Sequence, residues 1–162
     1  VYLIGKTGDD YAGSELQKML NGDLSGTLPA LDLQAIHEYC QKLHQQMVAG
    51  NVTAAHDVSE GGLGVALAEM LFQGETGMQL DLRSLTAAQL FSETAGRLVV
   101  TVPADARETF ENEMGQDAQY VGQVTNTHWL ELHLQNAEMN ENLTDLKKLY
   151  KEALPCQLKS KD

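Results

Sequence analysis

The sequence predicts an α+β fold, a mixed β-sheet covered by helices. Three observations predict it. Apolar residues recur at helical spacing in some stretches and alternate in others, so helices and strands are interspersed along the chain. Their order reads β-α-α-β-α-β-α-β-α-β-β-α. Two strand-like runs follow each other near the end, which argues for a mixed sheet over a purely parallel one. The length, 162 residues, suits one domain with a real core and not two.

The elements follow in order. Val1 to Ile4 is a short strand, and Gly5 to Gly13 a turn-rich loop. Ser14 caps a short helix, Glu15 to Leu20, that ends at Asn21-Gly22. Asp23 to Leu31 is a loop containing Pro29, after which Asp32 caps a long helix. Leu33, Ile36, Cys40, Leu43 and Met47 recur along that helix at its natural spacing, and Gly50 stops it. Val52 to Ala55 reads as a buried strand leading into His56-Asp57. Gly61-Gly62 opens a helix that buries Leu63, Ala66, Leu67, Met70 and Leu71. Gly74 and Gly77 bracket a turn, and Met78, Leu80 and Leu82 alternate as a strand. Thr86 and Gln89 have the spacing of a capping box for a short helix toward Phe91. Arg97 to Val102 is a strand with a β-branched run. Ala104 to Met114 is an amphipathic helix. Gln119 to Val124 and Trp129 to Leu134 are expected to pair as a hairpin around Thr125 to His128. Leu143 to Leu154 is the last helix, ended by Pro155.

Charge narrows the function classes. A formal net charge of -12 disfavours non-specific nucleic-acid binding, which needs Lys and Arg to neutralise phosphates, and disfavours an anionic membrane surface. No apolar run is long enough to span a bilayer. The expected partners therefore include no nucleic acid and no membrane. Val1 to Ile4 reads as a strand with no leader, which suggests that the sequence begins inside a longer protein. Cys40 and Cys156 are far apart and belong to no CxxC motif. Cys40 falls on the apolar side of its helix, and Cys156 follows Pro155 near a polar tail. The pattern fits a reducing, cytoplasmic setting. His37 and His44 share a helix but have no second ligand pair, so no metal site is expected there. Trp129 reads as core or interface, and Lys147, Lys148 and Lys151 suit the end of a helix dipole.

The most informative stretch is Ala54-Ala55-His56-Asp57-Val58-Ser59-Glu60-Gly61-Gly62-Leu63. It reads as a strand, a polar turn, two glycines and an apolar helix. Unpaired N–H groups at such a helix start favour a phosphate, with Asp57, Ser59, Glu60, Gly61 and Gly62 as the ligand-facing loop. The plainer alternative is that Asp57 or Ser59 caps the helix and the glycines permit tight packing. The stretch is neither a Walker P-loop nor a GxGxxG fingerprint.

His56 to Leu63, with its Asp-x-Ser-x-Gly-Gly-Leu core, resembles the signature of C-terminal domains in the aminoimidazole ribonucleotide synthetase superfamily. That superfamily also includes selenophosphate synthetase, thiamine monophosphate kinase and a hydrogenase-maturation protein. The His before the Asp and the Val-Ser-Glu-Gly-Gly form resemble its formylglycinamidine ribonucleotide synthetase branch, the phosphoribosylformylglycinamidine synthases. Tyr2 to Thr7 followed by Gly13-Ser14-Glu15, Ala66 to Met70, Leu90 to Arg97 with Val99-Val100, and Tyr120 to Val124 resemble the same branch in the same order. Thr94 stands where Ser is usual and keeps the hydroxyl.

The resemblance implies that residues 1–162 form a single C-terminal-type domain, the second such domain of a longer multidomain enzyme. That enzyme is an ATP-dependent ligase of purine biosynthesis. It converts formylglycinamide ribonucleotide and glutamine-derived ammonia to the amidine, with ATP and magnesium held mainly by N-terminal-type domains. The implied partners are those N-terminal domains, a glutaminase subunit and a small accessory subunit. No catalytic or metal residue is expected on this chain, which alone is expected to be inactive. Ser92 and Glu93 lie in a loop whose counterpart in the enzyme's first half is expected to meet substrate; here it lines a cleft or supports an interface. His56 either touches a phosphate or neighbouring domain or is hydrogen-bonded scaffold, and Asp57 either orients the glycine turn or meets a cation. Arg97 either pairs with a phosphate or forms a salt bridge with Glu93 or another local acid. The alternatives are a non-catalytic interaction or regulatory module of the same fold, or a domain of a sibling enzyme in the superfamily.

Overall fold

The computed structural model describes residues 1–159, with side chains to residue 153. The strands are β1 (Tyr2–Ile4), β2 (Ala54–Asp57), β3 (Gly77–Leu82), β4 (Leu98–Thr101), β5 (Ala118–Tyr120), β6 (Gly122–Thr125), β7 (Trp129–Leu134) and β8 (Glu138–Asn142). The helices are α1 (Glu15–Asn21), α2 (Leu33–Val48), α3 (Gly62–Leu71), α4 (Arg107–Met114) and α5 (Leu143–Lys159). The α+β class holds, but the strands form two sheets instead of one. The first has the order β2-β4-β1-β5, antiparallel throughout. The second has the order β6-β3-β7-β8 and is mixed, because β3 and β7 run parallel.

The two sheets arise from one expected strand that is broken. Val121 donates its N–H to Val1 O of the first sheet at 3.0 Å and accepts from Asp81 N of the second at 2.7 Å. Gly122 then adopts φ +148°, and a Cβ there would lie 2.2 Å from Gln79 O. The chain thus changes sheets in one residue. The expected hairpin of β6 with β7 does not form, since β3 lies between them and β7 turns back on β8. β8, Glu-Met-Asn-Glu-Asn, has no apolar alternation that marks it as a strand.

The two central strands of the first sheet, β1 and β4, are buried on both faces. Leu3 and Val99 join a core with Leu63, Leu67, Leu80 and Leu132. Tyr2, Ile4 and Val100 face a second core with Tyr39, Leu43, Phe110 and Met114. Local signals set the helix starts. The Ser14 hydroxyl accepts from Gln17 N, and the Asp32 carboxylate accepts from Ala35 N at 3.0 Å. Thr86 and Gln89 cap each other reciprocally at 2.9 and 3.2 Å, although the helix they start is a single 3₁₀ turn, Gln89–Phe91.

Three expectations need correction. The strand expected to be buried at Val52 to Ala55 is β2, displaced by two residues and placed at a sheet edge, so Ala54, Ala55 and Asp57 are exposed. The buried stripe of α2 is rotated: Tyr39, Leu43 and Gln46 are inside, while Leu33 and Met47 are exposed. The rotation follows from Tyr39, whose hydroxyl donates to Gly96 O at 2.6 Å. Finally, α5 continues past Pro155; a proline removes one helical hydrogen bond without ending the turns on both sides. Cys156 lies outside the residues whose side chains are described.

Candidate functional site

β2 delivers the signature loop to the surface. Val58 N–H donates to Arg97 O at 2.9 Å, which ties the loop to the strand start of β4. Ser59 and Glu60 then turn the chain, and Gly61 and Gly62 follow with φ +79° and +69°. Both values lie in the left-handed region that side chains other than glycine resist. Gly62 N–H donates to Ser59 O at 3.0 Å and α3 begins. A Cβ on Gly62 would stand 2.5 Å from Ser92 O and 2.9 Å from Leu90 O, so the helix start is pressed against the second loop.

That second loop supplies an anion of its own. Glu93 Oε1 accepts from Gly61 N at 2.9 Å and from Glu15 N at 2.8 Å. One carboxylate therefore joins the starts of α1 and α3. The backbone donor that makes the glycine turn attractive to a phosphate is already engaged. Glu93 N–H in turn donates to Asp10 O at 3.0 Å.

Arg97 is 1% exposed. Its Nε donates to Thr94 O at 3.0 Å, Nη1 to Thr7 Oγ1 at 3.1 Å and Nη2 to Ser92 O at 2.5 Å. Burial pulls its pKa down to about 10, partly offset by the charge of Asp10. Among the described residues it forms no salt bridge. The pair expected with Glu93 fails because the guanidinium is taken up by carbonyls of its own loop and by Thr7, and the carboxylate by the backbone N–H groups of Gly61 and Glu15. Ser92 is fully buried, its hydroxyl 3.2 Å from Thr94 Oγ1. Thr94 Oγ1 donates to Asp10 Oδ2 at 2.5 Å and accepts from Gly8 N at 2.9 Å. A serine hydroxyl has the same bonding capacity, which accounts for Thr94 in its place.

Asp57, Ser59, Glu60, Glu93 and Arg97 line one cleft of about 480 Å³, together with Cys40, Ala95 and Gly96. Its rim carries three acids against one buried cation. Gly61, Gly62 and Ser92 are not among the residues that line it. His56 points elsewhere: its Nδ1 lies 2.6 Å from Asp57 O and its Nε2 3.5 Å from Glu69 Oε2. Since a carbonyl only accepts, Nδ1 carries the proton, and the contact with Glu69 becomes an ion pair when the ring is protonated. His56 lines a separate recess with Phe72, Lys147 and Tyr150. The sequence reading missed Thr7, Asp10 and Thr94 as the brace of the cleft. The acidic pair Asp9-Asp10 between glycines was the available signal.

Residues 1–135 match the family described as AIR synthase related protein, C-terminal domain. All 162 residues align with phosphoribosylformylglycinamidine synthase subunit PurL of Limosilactobacillus reuteri (strain DSM 20016), at 54% identity. The same subunit of Limosilactobacillus fermentum (strain NBRC 3956 / LMG 18251) is 56% identical over 162 residues. In both, the chain covers 22% of the relative's length. Among solved structures, T. maritima PurL complexed with FGAR superposes with a TM-score of 0.73 at 19% identity, over 90% of this chain and 27% of that one. T. maritima PurL complexed with ATP gives a TM-score of 0.70 at 18% identity, over 90% and 25%. At these identities the structural likeness speaks for the fold alone.

Proposed function

The chain belongs to the AIR synthase related protein family, as a C-terminal domain of that family, and from this premise we propose that it is the last domain of a longer phosphoribosylformylglycinamidine synthase polypeptide. The complete polypeptide, in this reading, is an ATP-dependent ligase of purine biosynthesis that joins glutamine-derived ammonia to formylglycinamide ribonucleotide. One observation carries the reading: identity of 54% and 56% to PurL subunits extends over all 162 residues, while covering 22% of their length.

In the complete enzyme, ATP with magnesium would supply the phosphoryl group that activates the amide oxygen. The residues of this chain do not fit either group by themselves. The Gly61 N–H is engaged by Glu93, the cleft rim is acidic, and no three His, Cys, Asp or Glu among the described residues are placed to hold a metal ion. No phosphate or metal step is therefore assigned to them. The chain's part is to close a cleft completed by preceding domains. Asp57, Ser59 and Glu60 form its ligand-facing wall, with Glu93 and Arg97 as positioning residues that hold the wall rigid. His56 stands beside that wall, its Nδ1–H held by Asp57 O. The glutaminase and small accessory subunits are partners of the whole enzyme, and its setting is the cytoplasm. Among the described residues no helix is long and apolar enough to cross a membrane.

The test is an assay of the complete polypeptide with formylglycinamide ribonucleotide, ATP, magnesium and ammonium chloride. ADP release that depends on the ribonucleotide is the expected result, with none from the 162-residue chain alone. A folded complete polypeptide without ribonucleotide-dependent ADP release overturns the reading.

A further inference from the structure

We propose that residues 18–34 form a preformed apolar arm that docks onto the remainder of the same polypeptide. The inference rests on the reading of the chain as one domain of a longer enzyme, and names the surface by which it is joined. Every residue from 18 to 34 is exposed. Among them Met19, Leu20, Leu24, Leu28, Leu31 and Leu33 are between 49% and 75% exposed. Single exposed leucines are ordinary on a protein surface, but six large apolar side chains in one short run are not. The run carries only Lys18, Asp23 and Asp32 as charges, in a chain whose net charge is -12.

The arm is also braced. Gln17 Nε2 donates to Ser25 O at 2.8 Å, while Gln17 Oε1 accepts from Ser25 N at 3.1 Å and from Gly13 N at 2.8 Å. Gly22 N–H closes α1 on Lys18 O at 2.8 Å, and the Asp32 cap fixes the start of α2. Hydrogen bonds thus hold the two ends and the middle of the run, and its apolar side chains turn outward. A loop ordered in advance loses less conformational entropy when covered. The helix that leads into the arm is anchored as well, because α1 starts on the Glu93 carboxylate that holds the turn before α3.

The occupant follows from length. The chain accounts for 22% of the PurL subunits that it matches from end to end, so most of such a polypeptide lies outside it. A covalently attached surface meets the arm at high effective concentration and wins over a separate molecule of equal complementarity.

The experiment places a cysteine in the complete polypeptide at Leu28→Cys, or at Asn126→Cys on the exposed turn after β6 as reference. Alkylation by iodoacetamide is followed peptide by peptide in the mass spectrometer. Position 28 is expected to react at least about tenfold more slowly than position 126, at every protein concentration, and equally fast once guanidinium unfolds the protein. Equal rates in the native protein overturn the docking. Protection lost on dilution assigns the arm to a second copy, and protection gained only when another subunit is added assigns it to that subunit; both overturn the proposal. A gene that encodes nothing beyond these residues removes the occupant and the proposal with it. The ribonucleotide assay on the same sample separates the two readings. An active polypeptide with a fast position 28 sinks the docking alone, and an inactive one with a slow position 28 sinks the ligase reading alone.

Discussion

Glu93 and Arg97 stand four residues apart with opposite charges, and the sequence invites pairing them. The structure sends each to a backbone instead: the carboxylate to Gly61 N and Glu15 N, the guanidinium to Ser92 O and Thr94 O. Removing the carboxylate leaves donors at two helix starts without their partner. Glu93→Ala is expected to lower unfolding free energy by about 2 kcal/mol, and Glu93→Gln by less, because the amide oxygen still accepts. Urea denaturation of the two variants checks the order; a glutamine as damaging as the alanine argues against the cap. The residues of the cleft wall were legible as two loops. Their contact was not, since Gly61 and Glu93 are 32 positions apart and no spacing rule reports a bond at that range. A second residue-scale prediction concerns pH. Glu111 is held below its ordinary value of 4.5, first by the Tyr2 hydroxyl at 2.7 Å and then by Arg107 at 2.9 Å. A depressed carboxylate contributes stability above its unfolded pKa and loses it as pH falls through the folded one. The stability difference between the protein and Glu111→Gln is therefore expected to be constant from neutral pH down to about 5 and to shrink below 4.5. A difference that grows with acid contradicts the assignment.

Helix starts were the most legible elements, because Ser14, Asp32 and the Thr86–Gln89 pair act within four residues of their own position. Strand pairing was the least legible. β3 pairs in parallel with β7, which follows it by some fifty residues, and β8 carries no apolar pattern. Glycines show how the two levels differ. Gly22 and Gly62 both hold a positive φ, +77° and +69°. Around Gly22 a Cβ meets nothing within 4 Å, so Gly22→Ala is expected to cost only the left-handed penalty, about 1 kcal/mol. At Gly62 the Cβ meets the carbonyls of Leu90 and Ser92, atoms fixed by the second loop. Gly62→Ala is expected to cost more than about 3 kcal/mol, because the start of α3 must then leave that loop. Thermal melts of the pair distinguish packing from conformation: equal losses at the two positions mean that the contact between the loops is dispensable.

At the scale of the whole molecule, the first sheet is a partition with a core on each side. Adjacent residues of β1 serve opposite cores, Leu3 one and Tyr2 with Ile4 the other, as do Val99 and Val100 of β4. The single sheet expected from the sequence becomes two where Gly122 lets the chain pass from β5, beside β1, to β6, beside β3, and the glycine inside a strand-like run was the one local hint of that close approach. A partition of three- and four-residue strands is too thin to stand when either core empties. Phe110 is fully buried in the second core, and its ring lies 5.0 Å from that of Tyr2. Phe110→Ala is expected to cost about 3–5 kcal/mol. The damage should not stay on its own side. If the two cores fold as one unit, amide protection at Leu80 and Leu132, which lie across the partition, falls by the same factor as protection at Val100. Native-state hydrogen exchange reads the three amides in one experiment. Protection retained at Leu80 and Leu132 while Val100 opens would mean that the second sheet and α3 stand alone, and that β1 and β4 lean on them without holding them up.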